Sequence, residues 1–213
     1  LRNALTRLLS QAAAWRADAV ICVSKALRSQ LWCGRRKVVV IPTGVDLDVF
    51  RPAERSQARD ALGWPPEEPV ALFNAGKAPL QKGLPLVQAA IDLLHAQALP
   101  VRLHVTTGGH TRYEMERFFN AADCLVLASE TEGSPNVVKE AMACNLPVVS
   151  VDAGDVRERL RDAAPGSIVT RDAHALAQGI REALASGARS NGRSLLQRQG
   201  LGQADTVARL HEV

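Results

Sequence analysis

Aromatic residues are scarce in this sequence of 213 residues, since tryptophan, tyrosine and phenylalanine together make up only 4% of it. The net charge is +4, but lysine and arginine are spread along the chain rather than gathered in one stripe. Readers of nucleic acid usually combine a basic stripe with stacking aromatics, so the composition argues against a nucleic-acid partner. It favours small anionic ligands or a lipid surface instead.

Long apolar runs are lacking as well. No stretch approaches the roughly 20 apolar residues that a membrane-spanning helix requires, and no secretory signal pattern opens the chain. We therefore expect a cytoplasmic protein that does not cross a membrane by itself. Peripheral contact with the inner face of the membrane stays open as an alternative.

Cysteines are few and none forms a CxxC pair. The four residues Cys22, Cys33, Cys124 and Cys144 are widely spaced. This pattern predicts reduced, mostly buried thiols rather than a disulfide framework or a metal site.

The N-terminal stretch has a helical pattern. Leu5, Leu8, Leu9 and Trp15 recur at helical spacing, with arginines between them. The pattern predicts a helix that packs on a core, and a helix lying on a membrane surface is the alternative.

Short β-branched runs alternate with helical patterns through most of the chain, as in a parallel sheet with crossover helices. We predict that residues 1–45 form the end of one α/β lobe and that Ser24 is the N-cap of its second helix. Residues 46–69, rich in proline and charge, predict a linker. Residues 70–187 predict a doubly wound, Rossmann-like lobe with five parallel strands and helices on both faces. Residues 188–213 predict a helical tail.

Ligands of such a lobe bind beyond the carboxyl ends of its strands. One loop there starts at Gly76 and carries Lys77 and Lys82. Two ammonium groups that converge on one spot repel each other unless a polyanion lies between them, so a diphosphate is the expected ligand. Two solvated surface lysines are the alternative.

A second loop leads into a helix at a Gly-Ser-Pro turn. We expect Gly133 to allow the turn, Ser134 to cap the helix and Pro135 to occupy its first turn. The free amides of Asn136 and Val137 would then point at an anion.

Two glutamates, eight positions apart in sequence, flank this turn. Glu140 lies about one helical turn into the helix, where its carboxylate could accept hydrogen bonds from a diol such as ribose. Glu132 lies on the turn itself, on the other side of the phosphates. On the residues alone, both are also compatible with ordinary acids near a helix start.

These motifs occur in a familiar order. The segments VICVSKALRSQL, VVVIPTGVDLDVFRP, GKAPLQKG, EGSPNVVKEAMACNLPVVS and DAGDVRERL closely resemble the retaining, nucleotide-sugar-dependent glycosyltransferases of family four, the glycosyl transferases group 1. The resemblance runs from about residue 17 to residue 185. It implies the two-lobed GT-B fold, and mainly its C-terminal, donor-binding lobe.

The resemblance also assigns roles to residues. It implies that Glu132 holds the hydroxyls of the transferred sugar and Glu140 the ribose, and that Lys77 and Lys82 bind the pyrophosphate. Glu132, Lys82 and Lys77 are thereby the catalytic candidates. Lys77 stands where an arginine is usual, so the planar bidentate fork is lost. The remaining donor contacts would come from Gly76, Gly133, Ser134, Pro135, Asn136 and Val137.

Other family positions frame this site. Gly44 and Asp46 match the hinge motif between the lobes. Gly154, Asp155 and Glu158 match a Gly-Gly-x-x-Glu motif in which Asp155 replaces the second glycine. The DLD at 46–48 looks like the metal motif of a different glycosyltransferase fold, but its place in the hinge marks it as a chance match.

The implied reaction is transfer of a sugar, with retention of configuration, from a UDP-, GDP- or ADP-sugar to a sugar, polysaccharide or lipid-linked acceptor. No metal or other cofactor is expected. Family members are nearly twice as long, and the stretch between Lys82 and Glu132 is short by about one strand–helix unit. We therefore expect a short or truncated enzyme. The alternative is a non-catalytic nucleotide-sugar-binding subunit that needs a partner lobe, and the protein could also form an oligomer. A nucleotide-dependent oxidoreductase is disfavoured because no GxGxxG follows a strand.

Overall fold

The computed structural model describes residues 2–32 and 37–213, so the prediction for Cys33 lies outside the described residues. The N-terminal part begins with helix α1 (Arg2–Arg16) and continues with strand β1 (Val20–Cys22), helix α2 (Lys25–Ser29) and strand β2 (Val38–Val40). The two strands pair in parallel. The predicted cap of α2 is confirmed, because the Ser24 hydroxyl accepts a 3.2 Å hydrogen bond from the Leu27 amide.

Helix α1 corrects one expectation. Its leucines do not pack on a core of the described chain, since Leu5, Leu8 and Leu9 are 54–62% exposed and Trp15 is 76% exposed. Helical spacing identifies an apolar face but not what covers it. The prediction of a packed helix is therefore wrong for the described residues.

The rest of the chain continues the alternation. Its helices and strands are α3 (Arg55–Leu62), β3 (Val70–Gly76), α4 (Pro79–Lys82), α5 (Leu84–Ala96), β4 (Arg102–Thr107), α6 (Arg112–Ala121), β5 (Cys124–Leu127), α7 (Asn136–Ala143), β6 (Val148–Val151), α8 (Val156–Leu160), β7 (Ser167–Val169), α9 (Ala173–Ser186), α10 (Gly192–Arg198) and α11 (Gln203–Leu210).

Strands β3 to β7 form one parallel sheet in the order β4-β3-β5-β6-β7, which confirms the predicted five-stranded α/β lobe. From β3 the chain turns first to β4 on one side and then crosses to β5 on the other. The carboxyl ends of β3 and β5 therefore flank the point where the strand order reverses, which is where open α/β sheets bind ligands. Strand β4 lies at an edge of the sheet.

Helices cover both faces of the sheet. Because successive side chains of a strand point to opposite faces, each strand contributes to both layers of the core. Leu72 packs among α6, α7 and α10 on one face, whereas Phe73 packs against α5 and α9 on the other. Leu72 and Phe73 are almost fully buried, and each such side chain contributes roughly 1.5–3 kcal/mol to folding. Cys22, Cys124 and Cys144 are buried, as predicted.

The C-terminal tail returns to the segment after β2. Val45 exchanges two 2.9 Å backbone hydrogen bonds with the tail, donating to the Leu201 carbonyl and accepting from the Gln203 amide. At Gly44 a Cβ would lie 2.5 Å from Thr206 Oγ1 and 2.6 Å from the Gly202 carbonyl oxygen, so the crossing requires glycine. Within the described ranges, no helix is both long enough and apolar enough to cross a bilayer.

Candidate donor-binding site

The loop after β3 brings its two lysines to different neighbours. The Asn74 side chain accepts from the Gly76 amide at 3.0 Å, and Gly76 takes a positive φ of 52° that turns the chain out of the sheet. The loop contains the one-turn helix α4, which has Pro79 at its start and Lys82 at its end. The proline favours this turn because its fixed φ is already helical.

Lys82 is positioned by the glycine that follows it. A Cβ on Gly83 would lie 2.5 Å from the carbonyl oxygen of Ala128, at the end of β5. This close approach places Lys82 beside the loop after β5. Its Nζ lies 2.5 Å from Glu132 Oε1, and the two side chains are 33% and 13% exposed. The structure therefore brings together two catalytic candidates that are 50 residues apart in sequence.

Lys77 lies at the other end of the loop. It is exposed and makes no hydrogen bond or ion pair with any described residue. A Cβ on Gly108, in the loop after β4, would lie 3.4 Å from Lys77 Cγ. Lys77 thus leans toward β4 and Lys82 toward β5. A shared anion between the two lysines stays a prediction.

The Gly-Ser-Pro turn differs from expectation in two respects, because Ser134 does not cap α7 and Pro135 precedes the first helical turn instead of occupying it. Pro135, not Ser134, is the N-cap of α7, and it offers no side-chain cap. The Ser134 hydroxyl instead donates to Asp155 Oδ2 and accepts from Lys139 Nζ, both at 2.9 Å. The prediction that Ser134 caps the helix is wrong, because its hydroxyl bonds to these two buried charged groups instead of to a helix amide.

The amides at the start of α7 remain available to a ligand. In the part of the chain that the structure describes, neither the Asn136 nor the Val137 amide has a hydrogen-bond acceptor. An unpaired amide pair at a helix N-terminus attracts anions through both its N–H groups and the helix dipole. These two amides follow directly on the turn that carries Glu132.

Gly154 packs the next loop against this turn. It has a φ of +65°, and a Cβ there would lie 2.5 Å from the Gly133 carbonyl oxygen and 3.0 Å from that of Glu132. Both the left-handed backbone and the close approach require glycine. The first glycine of the expected Gly-Gly-x-x-Glu motif therefore acts by supporting the turn.

Glu140 lies in a cavity of about 420 Å³ together with Gly44, Asp46 and Arg112. Its carboxylate is partly buried and accepts no hydrogen bond from any described residue. Burial raises the pKa of Glu140, while the positive charges of Lys139 and Arg112 act in the opposite direction. A half-buried carboxylate without a partner is available to hydroxyl donors of a ligand.

Sequence reasoning missed Lys139, which precedes Glu140. Its side chain is 1% exposed, and its Nζ donates to the Thr43 carbonyl at 2.6 Å and to Ser134. Burial lowers the pKa of the Lys139 ammonium from 10.5 to about 8, against the opposing attraction of Asp155. The buried positions Met142 and Ala143 are three and four residues away, so the helical pattern was a signal that Lys139 faces inward.

Asp46, one of the two predicted hinge residues, has partners in the structure. Asp46 Oδ1 accepts the amides of Asp48 and Val49 at 3.1 Å, and its Oδ2 lies 3.4 Å from Arg112 Nη1. Asp46 therefore closes the turn after Gly44. Among the described residues, no group of three His, Cys, Asp or Glu side chains is arranged to hold a metal ion.

Glu158, the last residue of the Gly-Gly-x-x-Glu motif, connects α8 to the N-terminal part of the chain. Glu158 Oε1 lies 3.2 Å from Lys25 Nζ, at the start of α2. Arg159 Nε donates to Asp155 Oδ2 at 3.1 Å, and its Nη1 donates to the Gln199 side chain at 2.6 Å. Arg159 is buried, so this pair anchors Asp155 rather than leaving it free for a ligand.

Solved structures of other proteins share this architecture. A sucrose-phosphate synthase from Thermosynechococcus elongatus aligns with a TM-score of 0.82 at 24% identity, covering 97% of this chain and 60% of that one. HepE of Anabaena, solved in complex with UDP and glucose, aligns with a TM-score of 0.77 at 19% identity, covering 98% and 66%. At these identities the likeness shows the fold.

Sequence comparison shows the family. The D-inositol 3-phosphate glycosyltransferase of Mycobacterium marinum is 32% identical over 198 residues, covering 81% of this chain and 42% of the relative. This chain thus spans less than half the length of that relative. Residues 67–186 match the glycosyl transferases group 1, and residues 1–49 match glycosyltransferase family 4. The chain therefore belongs to the group 1 glycosyl transferases of family four, and most of it forms the C-terminal lobe of their GT-B fold.

Proposed function

We propose that this chain binds the nucleoside-diphosphate-sugar donor of a retaining glycosyltransferase and transfers its sugar to a sugar, polysaccharide or lipid-linked acceptor. The observation that carries the proposal is the contact of Lys82 with Glu132 at the point where the strand order reverses. Lys82 can bind phosphate there and Glu132 can bind sugar hydroxyls, close in sequence to the Asn136 and Val137 amides, which have no acceptor among the described residues. Family membership supports the same reading.

In this proposal the diphosphate binds between the two lysines of the β3 loop and the start of α7. Lys82 and Lys77 supply positive charge, and the Asn136 and Val137 amides supply hydrogen bonds. Glu140 accepts the ribose hydroxyls inside its cavity. Gly76, Gly133, Ser134 and Pro135 shape the two loops, with Ser134 acting through its fixed hydroxyl rather than as a helix cap.

Glu132 binds the hydroxyls of the transferred sugar. The bond between the anomeric carbon and the diphosphate oxygen breaks, and the carbon passes through an oxocarbenium-like state. An acceptor hydroxyl then attacks from the face that the diphosphate leaves, which retains the configuration, and its proton passes to the departing diphosphate. Lys82, Lys77 and the helix amides stabilise the charge of the leaving group. The proposed reaction needs no divalent metal because these groups supply that stabilisation.

The domain division belongs to the proposal as well. Residues 1–45 would be the end of an acceptor-side lobe, 46–69 the linker with its hinge at Gly44 and Asp46, 70–187 the donor lobe and 188–213 the tail. The return of the tail to Val45 supports a hinge at this place.

Thermal unfolding with UDP, GDP and ADP tests the donor site. A ligand at a hundred times its dissociation constant adds roughly 2.7 kcal/mol to the free energy of unfolding, which raises the melting temperature measurably. We expect stabilisation by at least one of the three nucleotides in the wild type and a much smaller effect in Lys82→Met. No stabilisation of the wild type by any of them would exclude the proposed donor site.

A second candidate is a donor-binding subunit without turnover of its own. It is favoured by the small sheet of the described N-terminal part, which consists of the two strands β1 and β2. It predicts nucleotide binding without sugar transfer or hydrolysis, and recovery of transfer when a separately produced N-terminal lobe is added. Transfer by this chain alone would rule it out.

Contact with a membrane or with another protein chain is supported by the surface of α1. Three leucines and Trp15 are exposed on this helix, and Arg7 and Arg16 lie among them. An apolar face bordered by arginines binds anionic lipid surfaces. Co-sedimentation with vesicles that contain anionic lipid tests this contact, and Leu8→Glu should reduce it.

A further inference from the structure

The Lys139 side chain links the donor turn, which consists of residues Gly133–Pro135, to the segment before the proposed hinge residue Gly44. Its Nζ donates to the Thr43 carbonyl oxygen at 2.6 Å and to Ser134 Oγ at 2.9 Å. Thr43 precedes the hinge glycine, Gly44, and Ser134 follows Glu132 by two residues. One buried ammonium group therefore joins this turn to the segment before Gly44, although Lys139 lies 96 positions from Thr43 in sequence.

Asp155 holds the other side of the same hydroxyl. Ser134 Oγ donates to Asp155 Oδ2 while it accepts from Lys139, so both roles of this hydroxyl are fixed. Arg159 in turn donates to Asp155 Oδ2. Asp155 Oδ1 is buried without a hydrogen-bond partner among the described residues. The turn is thus held between α7 and α8 by charged groups that solvent hardly reaches.

Stability alone does not account for a charge at this position. Among the described residues, Lys139 Nζ contacts a carbonyl and a hydroxyl but no carboxylate. A buried ammonium without a directly paired acid is costly compared with an apolar side chain of similar volume. The charged groups around it are Asp155 and Arg159 from α8 and Glu140 from its own helix. Its pKa of about 8 shows that the site disfavours the charged form. The position of Lys139 therefore points to a role in the site.

We propose that Lys139 is a positioning residue of the donor site. It holds the Gly133–Pro135 turn against the hinge so that the Glu132 carboxylate and the free amides of Asn136 and Val137 face one bound diphosphate sugar. This inference rests on the proposed function, because it assigns Lys139 to the same site. Lys139 acts through the turn and does not itself contact the donor.

Titration calorimetry with UDP, GDP and ADP at pH 7 tests this role. We expect Lys139→Met to weaken binding of the nucleotide that binds the wild type by about tenfold or more. The matched control is Lys37→Met, the same substitution at an exposed lysine whose Nζ donates to the Ala17 carbonyl instead of to a residue of the turn. This control should bind like the wild type. Unchanged affinity in a folded Lys139→Met protein would overturn the inference.

A double-mutant cycle separates positioning from a general loss of structure. Ser134→Ala removes the hydroxyl that Lys139 holds, and we expect it to weaken binding by about three- to tenfold. If both residues act through one link, the double variant loses about as much affinity as Lys139→Met alone. Fully additive losses would contradict the link. Should Lys139→Met not fold, unchanged affinity in Ser134→Ala would contradict it equally.

The pH dependence gives an independent readout. An ammonium donates stronger hydrogen bonds than a neutral amine, so wild-type affinity should fall between pH 7 and pH 9 more steeply than that of Lys139→Met. Parallel pH profiles would count against the inference. A wild type that binds none of the three nucleotides would refute the proposed function itself, whereas binding that ignores Lys139 and Ser134 refutes only this inference.

Discussion

Lys82 Nζ lies 2.5 Å from Glu132 Oε1, and this contact joins the loop after β3 to the loop after β5. Both side chains are partly buried, so their attraction is less screened than that of a surface pair. The same lysine is proposed to bind the donor diphosphate. Glu132 therefore holds Lys82 in place and also competes with the phosphate for it.

This competition predicts opposite effects of two substitutions on nucleotide affinity. Lys82→Met should weaken binding of the nucleoside diphosphate about tenfold or more, because a hydrogen bond to a charged group contributes roughly 1.5–3 kcal/mol. Glu132→Gln should leave that affinity unchanged or increase it, because the acid no longer competes for Lys82. Calorimetry measures both, with Lys37→Met as the control for removal of a lysine.

Glu132→Gln should nevertheless slow transfer or hydrolysis of the sugar nucleotide strongly, because the proposed contact to the sugar hydroxyls is weakened. Turnover unaffected by this substitution would contradict the role of Glu132. Turnover unaffected by Lys82→Met would likewise contradict the role of the lysine.

Glu140 should confer a preference for ribose. We expect the wild type to bind a ribonucleoside diphosphate more tightly than its 2′-deoxy form, and Glu140→Gln to lose most of this preference, because an amide oxygen is a weaker acceptor than a carboxylate. Binding of the two nucleotide forms to both proteins measures the effect. An equal preference in wild type and variant would argue against the contact.

The titration of Glu140 predicts the pH dependence of that preference. Burial raises the pKa of its carboxyl above the ordinary 4.5, so protonation begins at a higher pH than for an exposed glutamate. The ribose preference should therefore be full near neutral pH and be lost as the pH falls through this raised pKa. Glu140→Gln carries no titrating group there and should show a flat profile.

Gly154→Ala should destabilise the protein and disturb the donor turn. The left-handed backbone at Gly154 costs an alanine about 1–2 kcal/mol, and the Cβ would also lie 2.5 Å from the Gly133 carbonyl oxygen. Gly187→Ala is the matched control, since Gly187 has a φ of +60° but nothing within 4 Å of its Cβ position.

We therefore expect Gly187→Ala to cost about 1–2 kcal/mol in urea unfolding and Gly154→Ala to cost clearly more. Gly154→Ala should also weaken nucleotide binding, whereas Gly187→Ala should not. Equal destabilisation by the two substitutions would mean that the loop yields to the added methyl group.

Lys139 should make stability rise with pH in a defined window. Its pKa is lowered from 10.5 to about 8 by burial, so between these values the unfolded chain binds a proton that the folded protein has released. Stability must then increase as the pH rises from about 8 to 10.5, by up to about 3 kcal/mol for this group. Below pH 8 both states are protonated and the slope vanishes.

Urea unfolding of wild type and Lys139→Met over this range measures the effect. Other groups titrate alike in the two proteins, so the difference between the curves isolates Lys139. A difference that stays constant from pH 7.5 to pH 10.5 would show that the ammonium is better solvated than its burial indicates.

The alternation of strands and helices was predictable because it depends on local patterns. β-branched runs such as Val148–Val151 and periodic stretches such as Ala173–Ser186 fold as their sequence indicates. The surroundings of a helix are not local. The leucines of α1 have correct helical spacing, yet they are exposed in the described structure, because periodicity does not specify what the apolar face meets.

The candidate site was predictable in its members but not in their contacts. Glu132, Lys82 and Glu140 were identified from motif order, and the structure places Glu132 against Lys82. Ser134 was assigned the wrong role because a serine before a helix usually caps it. Here Lys139 and Asp155 engage its hydroxyl instead. Local sequence rules do not reveal that these side chains, rather than a helix amide, bond to the hydroxyl.

The sequence by itself determined the α/β class, the order of the elements and the family, because these depend on short-range periodicity and on motifs in a fixed order. The tertiary structure decided which charges are buried and which partner each one has. Lys82 meets Glu132 across 50 residues and Lys139 meets Thr43 across 96. Both contacts form only when folding brings distant segments together, and the resulting burial lowers the pKa of Lys139.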